Sequence, residues 1–307
     1  GPPSATPLCH HRRFRIHTMQ SPRRIAHATF FLLLGLHVCS ADAVMGADKV
    51  SATVLVKDSL TAPRQEATIE AKLVAKGILH DSPLGGEPVE LLVNGVAAAT
   101  SMTGGDGRAL LPFIPTGKGI VPVQVRVGGS PRVSAAEAHA NLVVWERRTP
   151  VLVVELSSLI EVARSEGPLS GIGSGFQQDL KPMPDAAEAL AKLSQFYYGI
   201  IYVATVPSGV DAFAINTDAR NWLATHKCPP GFVLTLSGGE DALGTKIDEL
   251  HEAGWKSVKT GIGRSKVFVE TFLRRRLEAI MIIDSANGDA PRKAKVAKDW
   301  KDVRKKL

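Results

Sequence analysis

The hydrophobic rhythm of this chain changes at Thr149-Pro150, and that change limits what each side of it can fold into. Before it, apolar and polar residues alternate in short runs, at 52–57, 67–74, 89–93, 109–113, 121–127 and 138–145. Period two, punctuated by Gly, Pro and Asn, describes strands buried on one face, and the near-regular spacing predicts a β-sandwich over residues 48–147. Asn94-Gly95 between two runs predicts a tight hairpin, because both turn positions want positive φ. After it, continuous apolar runs at 151–156, 199–204, 232–236 and 279–283 alternate with helical patterns at 186–196, 212–225, 245–253 and 265–277. Strands apolar on both faces belong in a parallel sheet covered by helices, so residues 149–290 are predicted to form a Rossmann-like α/β domain. The stretch 167–184, rich in Gly, Ser and Pro, is expected to be a loop.

With 307 residues, 44% of them hydrophobic, the chain can bury two cores. Its first 43 residues read differently. Met19-Gln-Ser-Pro-Arg23-Arg24, an apolar run at 25–38 and Ala41-Asp42-Ala43 have the layout of a secretory signal with its cleavage site. Export to a periplasmic, cell-surface or secreted location is therefore expected, with a retained anchor as the alternative; the run is short for a bilayer. Cys9 and Cys39 fall before that cleavage point, which leaves Cys228 alone and no intrachain disulfide in the mature chain.

The net charge of +7 is unevenly placed. Residues 292–306 carry eight basic side chains against Asp299 and Asp302, or +6, and the leader carries +4, so the remaining body is at −3. No nucleic-acid partner is expected from such a body. Residues 291–307 read as a basic helical tail able to touch anionic lipid or an acidic partner.

Two resemblances follow from particular residues. Glu87-Pro-Val-Glu-Leu-Leu-Val93, Thr103-Gly-Gly-Asp106-Gly107-Arg-Ala and Val123-Gln-Val-Arg-Val127 resemble the bacterial immunoglobulin-like domains of surface and exported proteins, which implies a spacer or adhesive module. Asp106 is read there as a turn residue, not a metal ligand. The second half resembles haloacid-dehalogenase-type phosphohydrolases in four places: Glu155-Leu-Ser157 after an apolar strand, Tyr202-Val-Ala204-Thr205-Val206-Pro207, the run from Trp222 to Phe232 with Pro229-Pro230-Gly231, and the strand leading to Asp284 and Asp289. The third is similar to the bacterial relatives of lipin-type and actin-patch phosphatidate phosphatases.

That resemblance implies magnesium-assisted phosphoryl transfer, with an aspartate nucleophile, a second aspartate two residues later as general acid, a Thr or Ser and a Lys holding phosphoryl oxygens, and acidic residues completing the metal shell. This chain departs from the pattern where the chemistry resides. Glu155 stands for the nucleophile with an extra methylene, a displacement of about 1 Å that can cost on the order of 10²-fold. Ser157 stands for the acid, a role typically worth about 10²–10⁴. Thr205 is the candidate phosphoryl-oxygen ligand, since Ala204 holds the usual position. Lys266 is the candidate lysine, with Lys246 as the alternative. Glu155, Asp284 and Asp289 remain as an acidic trio that implies magnesium as cofactor.

Ser170–Gly175 and Gly261–Lys266 look hospitable to phosphate, because glycine-rich turns expose N–H groups, yet neither has nucleotide-loop spacing. No histidine pair stands at zinc-ligand spacing. The expected protein is thus an exported, catalytically degenerate relative of phosphatidate phosphatases that binds a phosphorylated or lipid ligand or a protein partner. The alternatives are a divergent magnesium-dependent phosphohydrolase and a structural or adhesive envelope protein.

Overall fold

Upstream of Thr149 the chain forms ten strands: β1 (Val50–Val56), β2 (Ser59–Thr61), β3 (Ala67–Ala75), β4 (Ser82–Pro83), β5 (Pro88–Val93), β6 (Val96–Met102), β7 (Arg108–Phe113), β8 (Gly119–Val127), β9 (Val133–Ala136) and β10 (Ala138–Val144). They come from a computed structural model that describes residues 48–78, 80–161, 180–239, 241–283 and 289–307. The signal-like leader, Asp284 and Ser170–Gly175 lie outside the described residues. One sheet runs β4-β3-β1-β9 with β7 also on β3, and the other runs β2-β10-β8-β5-β6. Val54 and Val56, Ile69, Ala71 and Leu73, and Val123 and Val125 point between them into one apolar core, as period two requires. Asn94 and Gly95 make the β5–β6 turn at φ values of 52° and 75°. The alanine-rich β6 has no apolar–polar alternation, which is why its sequence gave no strand signal.

Downstream, β11 (Val151–Glu155), α1 (Ala186–Phe196), β12 (Gly199–Thr205), α2 (Ala212–Thr225), β13 (Phe232–Leu236), α3 (Ala242–Glu252), β14 (Val258–Gly263), α4 (Lys266–Arg274), β15 (Glu278–Ile282), β16 (Lys295–Ala297) and α5 (Trp300–Lys306) build one parallel sheet. Its order is β13-β12-β11-β14-β15-β16. Helices α1, α2 and α5 cover one face, and α3 and α4 the other. Strand β11 is central, and the winding direction reverses between it and β14. Crevices for ligands form at the carboxyl ends of strands at such a point.

Two expectations are corrected. The basic tail is not an appendage: β16 extends the sheet beyond β15, and Trp300 and Val303 of α5 are fully buried against the face that α1 covers. The tail's charge had masked a strand only three residues long. Of the run Gly261–Lys266, the segment Gly261–Gly263 is not a turn but the end of β14, and the N–H groups that meet an anionic oxygen are those of Arg264 and Ser265. The glycines answer to packing, since a Cβ on Gly261 would lie 2.6 Å from the Phe272 ring of α4.

The sandwich and the sheet share one compact unit, Ala47–Leu307. Asp58, between β1 and β2, joins them. Its fully buried carboxylate accepts from Asn141 N of β10 at 2.9 Å, from Val233 N of β13 at 3.1 Å and from Arg220 Nη1 of α2 at 2.9 Å. Its own amide donates to Asn216 Oδ1 at 3.0 Å, and Asn216 Nδ2 donates to the Val233 carbonyl at 2.9 Å. The outward peptide group of edge strand β13 is thereby satisfied as a neighbouring strand would satisfy it. Burial pushes the Asp58 carboxyl up, against Arg220 and the two amides, which hold it down. Around this centre Lys57 stands 4.4 Å from the Phe213 ring centroid, Lys72 pairs with Asp211, and Arg147 stacks at 4.6 Å on Trp255.

Asp58→Ala leaves Arg220 buried without its counter-charge, a change that costs about 3–5 kcal/mol. A drop of that size in the urea-unfolding free energy is expected; a change under about 0.5 kcal/mol, the ordinary effect of a surface substitution, would refute the assignment.

Candidate functional site

Strand β11 delivers Glu155 to the crevice where the winding reverses, and the same crevice receives the turn from β14 into α4. The carboxylate does not stand open there. Glu155 Oε2 accepts from Arg264 N at 2.6 Å and Ser265 N at 2.9 Å, and Oε1 accepts from Ser265 Oγ at 2.5 Å. Ser265 is itself the N-cap of α4, its hydroxyl accepting from Phe268 N at 3.3 Å. Glu155 thus supplies the negative charge that the N-terminus of a helix favours, in the place where a helix of this kind would otherwise hold a free anion. Gly263 permits the approach: a Cβ there would lie 2.8 Å from Glu155 Oε2.

The chain leaves β11 directly into a single 3-10 turn, Leu156–Leu159. Strand alternation, which would have set Ser157 beside Glu155, ends at Glu155. Ser157 is exposed on the turn, whereas Ser158 is buried, donates to the Glu155 carbonyl at 2.6 Å and accepts from Trp300 Nε1 at 3.1 Å through its own carbonyl. Thr205 is the last residue of β12, exposed and in register with Leu236, while Ala204 before it is buried. Lys266 opens α4 directly after the Ser265 cap, is 62% exposed, and stands 3.8 Å from Glu270. Lys246 lies on α3, 2.9 Å from Glu249, and lines a cleft of about 650 Å³ between the sandwich and β13 whose walls do not include Glu155. Asp289 is exposed, and Asp284 is outside the described residues.

The donor set around Glu155 does not suit a cation. Two backbone amides and a hydroxyl direct their hydrogens at the carboxylate, and the positive end of α4 faces the same spot, so a magnesium ion would meet donors where it needs oxygen lone pairs. Among the described residues, no group of three His, Cys, Asp or Glu side chains is placed to hold a metal.

The other motif positions also hold the fold together. Tyr202 is fully buried and donates to the Pro229 carbonyl at 2.6 Å, tying β12 to the Pro-Pro-Gly lead into β13. Trp222 Nε1 donates to the Leu180 carbonyl at 2.9 Å. Burial pushes the Cys228 thiol up to about 11. Arg264 and Ser265 lie within the run Gly261–Lys266 whose N–H groups looked hospitable to an anion; what sequence reasoning missed is that the anion is Glu155. A serine just ahead of an apolar helical pattern is a capping signal, but nothing local in it names Glu155, 110 residues away, as its partner.

No family model matches the chain, and no curated protein matches it. Partial likenesses among solved structures include the D,D-heptose 1,7-bisphosphate phosphatase of Burkholderia thailandensis, 13% identical over 51% of this chain and 97% of that one, with a TM-score of 0.38. An L-2-haloacid dehalogenase is 15% identical over 42% of this chain and 59% of that one, with a TM-score of 0.32. The D00–D0 domain of intimin is 14% identical over 31% of this chain and 46% of that one, with a TM-score of 0.23. Likenesses at these TM-scores carry no argument. The strand order itself describes a two-sheet β-sandwich joined to a six-stranded parallel α/β sheet.

Two outcomes are expected. Glu155→Gln turns an amide N–H₂ toward existing donors and costs about 1.5–3 kcal/mol, which lowers the melting temperature by about 2–4 °C per kcal/mol; an unchanged melting curve would dismiss the capping role. Cys228, with its thiol near 11, reacts with iodoacetamide at pH 8 about 10²-fold more slowly in the native protein than in urea, following its smaller thiolate fraction.

Proposed function

We propose that this protein is an exported, non-catalytic binding module, in which an immunoglobulin-like sandwich is built onto a haloacid-dehalogenase-like sheet that no longer turns over phosphate esters. The motif order relates that sheet to the phosphatidate phosphatase branch. One observation carries the reading: both oxygens of Glu155, at the nucleophile position of the resemblance, are taken up in capping α4. A carboxylate so engaged is held away from a phosphorus centre by its own hydrogen bonds, and Ser157, exposed on the 3-10 turn, supplies no useful acid at neutral pH. What remains is a rigid two-layer platform suited to a protein partner or a phosphorylated ligand. The export expectation comes from the signal-like pattern of residues 19–43.

The test is phosphate release from phosphatidate and from p-nitrophenyl phosphate with magnesium present. No release above that of Glu155→Ala is expected, and magnesium is expected to leave the melting temperature unchanged. The double substitution Glu155→Asp with Ser157→Asp is expected to lose stability without gaining turnover, since the shorter side chain gives up the reach to Ser265. Magnesium-dependent release that disappears in a folded Glu155→Ala protein would establish the divergent phosphohydrolase instead.

A further inference from the structure

The carboxyl-terminal strand and helix concentrate cations on one surface. Trp300 and Val303 of α5 are fully buried, which turns Lys301, Arg304 and Lys305, at helical spacings of three and four, outward together. Arg292, Lys293 and Lys298, in the segment that leads through β16 into this helix, are exposed as well. The two aspartates of the segment offset only part of this charge, leaving residues 292–306 at +6, and both are hydrogen-bonded to the backbone. Asp299 Oδ1 accepts from Asp302 N at 2.8 Å as the cap of α5, and Asp302 Oδ2 accepts from Lys298 N at 3.2 Å. The acidic groups facing this surface come from the start of α1 and from β15: Asp185, the N-cap of α1, stands 3.2 Å from Lys301, in a pair whose lysine is 71% exposed, Glu188 feels the charges of Lys301 and Arg304 while paired with Lys192, and Glu278 of β15 pairs at 3.4 Å with Lys295. An exposed pair of this kind is worth little and yields readily to a stronger anionic field.

We propose that this β16–α5 face docks electrostatically on an anionic lipid surface. The patch is a helix flank, and its cations do not line the cleft between the sandwich and β13. Trp300, the aromatic residue of the segment 291–307, is fully buried and so not available for base stacking. The exposed apolar side chain of β16 is Val296, at 39%, too little for insertion. Contact is therefore by charge alone, and the body at −3 is repelled by the same surface, which orients the molecule with this face down.

The probes are vesicles of phosphatidylcholine alone and of phosphatidylcholine with phosphatidylglycerol in equal parts, co-sedimented with the full chain. The comparison protein carries Lys298→Gln, Lys301→Gln, Arg304→Gln and Lys305→Gln. Both proteins keep the same amino-terminal segment, so their difference reads this face, and all four positions are exposed, so folding is checked by an unchanged melting curve. Each cation near an anionic surface contributes about fivefold to the partition coefficient, so the fourfold variant is expected to bind phosphatidylglycerol vesicles about 10²–10³-fold more weakly. Raising salt from about 50 to about 500 mM should remove most of the wild-type advantage. Equal binding of the two proteins to phosphatidylglycerol vesicles overturns the proposal, as does equal wild-type binding to both vesicle types. Competition by a soluble polyphosphate that is stronger, per phosphate, than that by the vesicles also overturns it, in favour of a polymer partner.

Discussion

A single buried carboxylate, that of Asp58, decides how the two halves of this protein meet. Taking an ionised carboxylate out of water costs several kcal/mol, and only a full set of donors offsets that cost. Here the donors come from three elements: β10 of the sandwich, and β13 and α2 of the sheet. Neither half can satisfy Asp58 alone. The apolar contacts of the junction are less particular about geometry, since Ala62 and Val143 join a core made mostly of sheet residues. Hydrophobic burial brings the halves together; the carboxylate sets the register in which they stop.

The crevice repeats this logic on a smaller scale. Glu155 and the α4 N-terminus form a closed circuit of acceptor and donors, and the circuit draws on β11, β14 and the cap residue Ser265. A group used in this way is insulated twice, once by hydrogen bonds and once by the field of the helix. The same residue type at the same strand end can therefore serve either chemistry or architecture, and the difference lies in where its lone pairs are spent.

Much of the fold was legible because its periodicities are clean. The sandwich strands β1, β3 and β8 bury every second residue, and β11, β12 and β15 are apolar on both faces, so pattern and structure coincide. Strand β14 was hidden because Gly261 and Gly263 are shaped by the phenylalanines of α4, which lie later in the chain. Strand β16 was hidden by length and by its lysine. At the site, Glu155 stood out against a family pattern, yet its partner was invisible, because the bond that defines its role spans 110 residues. Asp58 gave no warning at all: in the sequence it is an aspartate between a lysine and a serine, and only the fold reveals that it is buried.

The bonds of Asp58 also impose an order on biosynthesis. Arg220 and Val233 lie 162 and 175 residues downstream of it. A sandwich emerging first holds a charge that stays hydrated until α2 and β13 have also been made. Local assembly can begin at once, but locking of the joint waits for the strand that carries Val233.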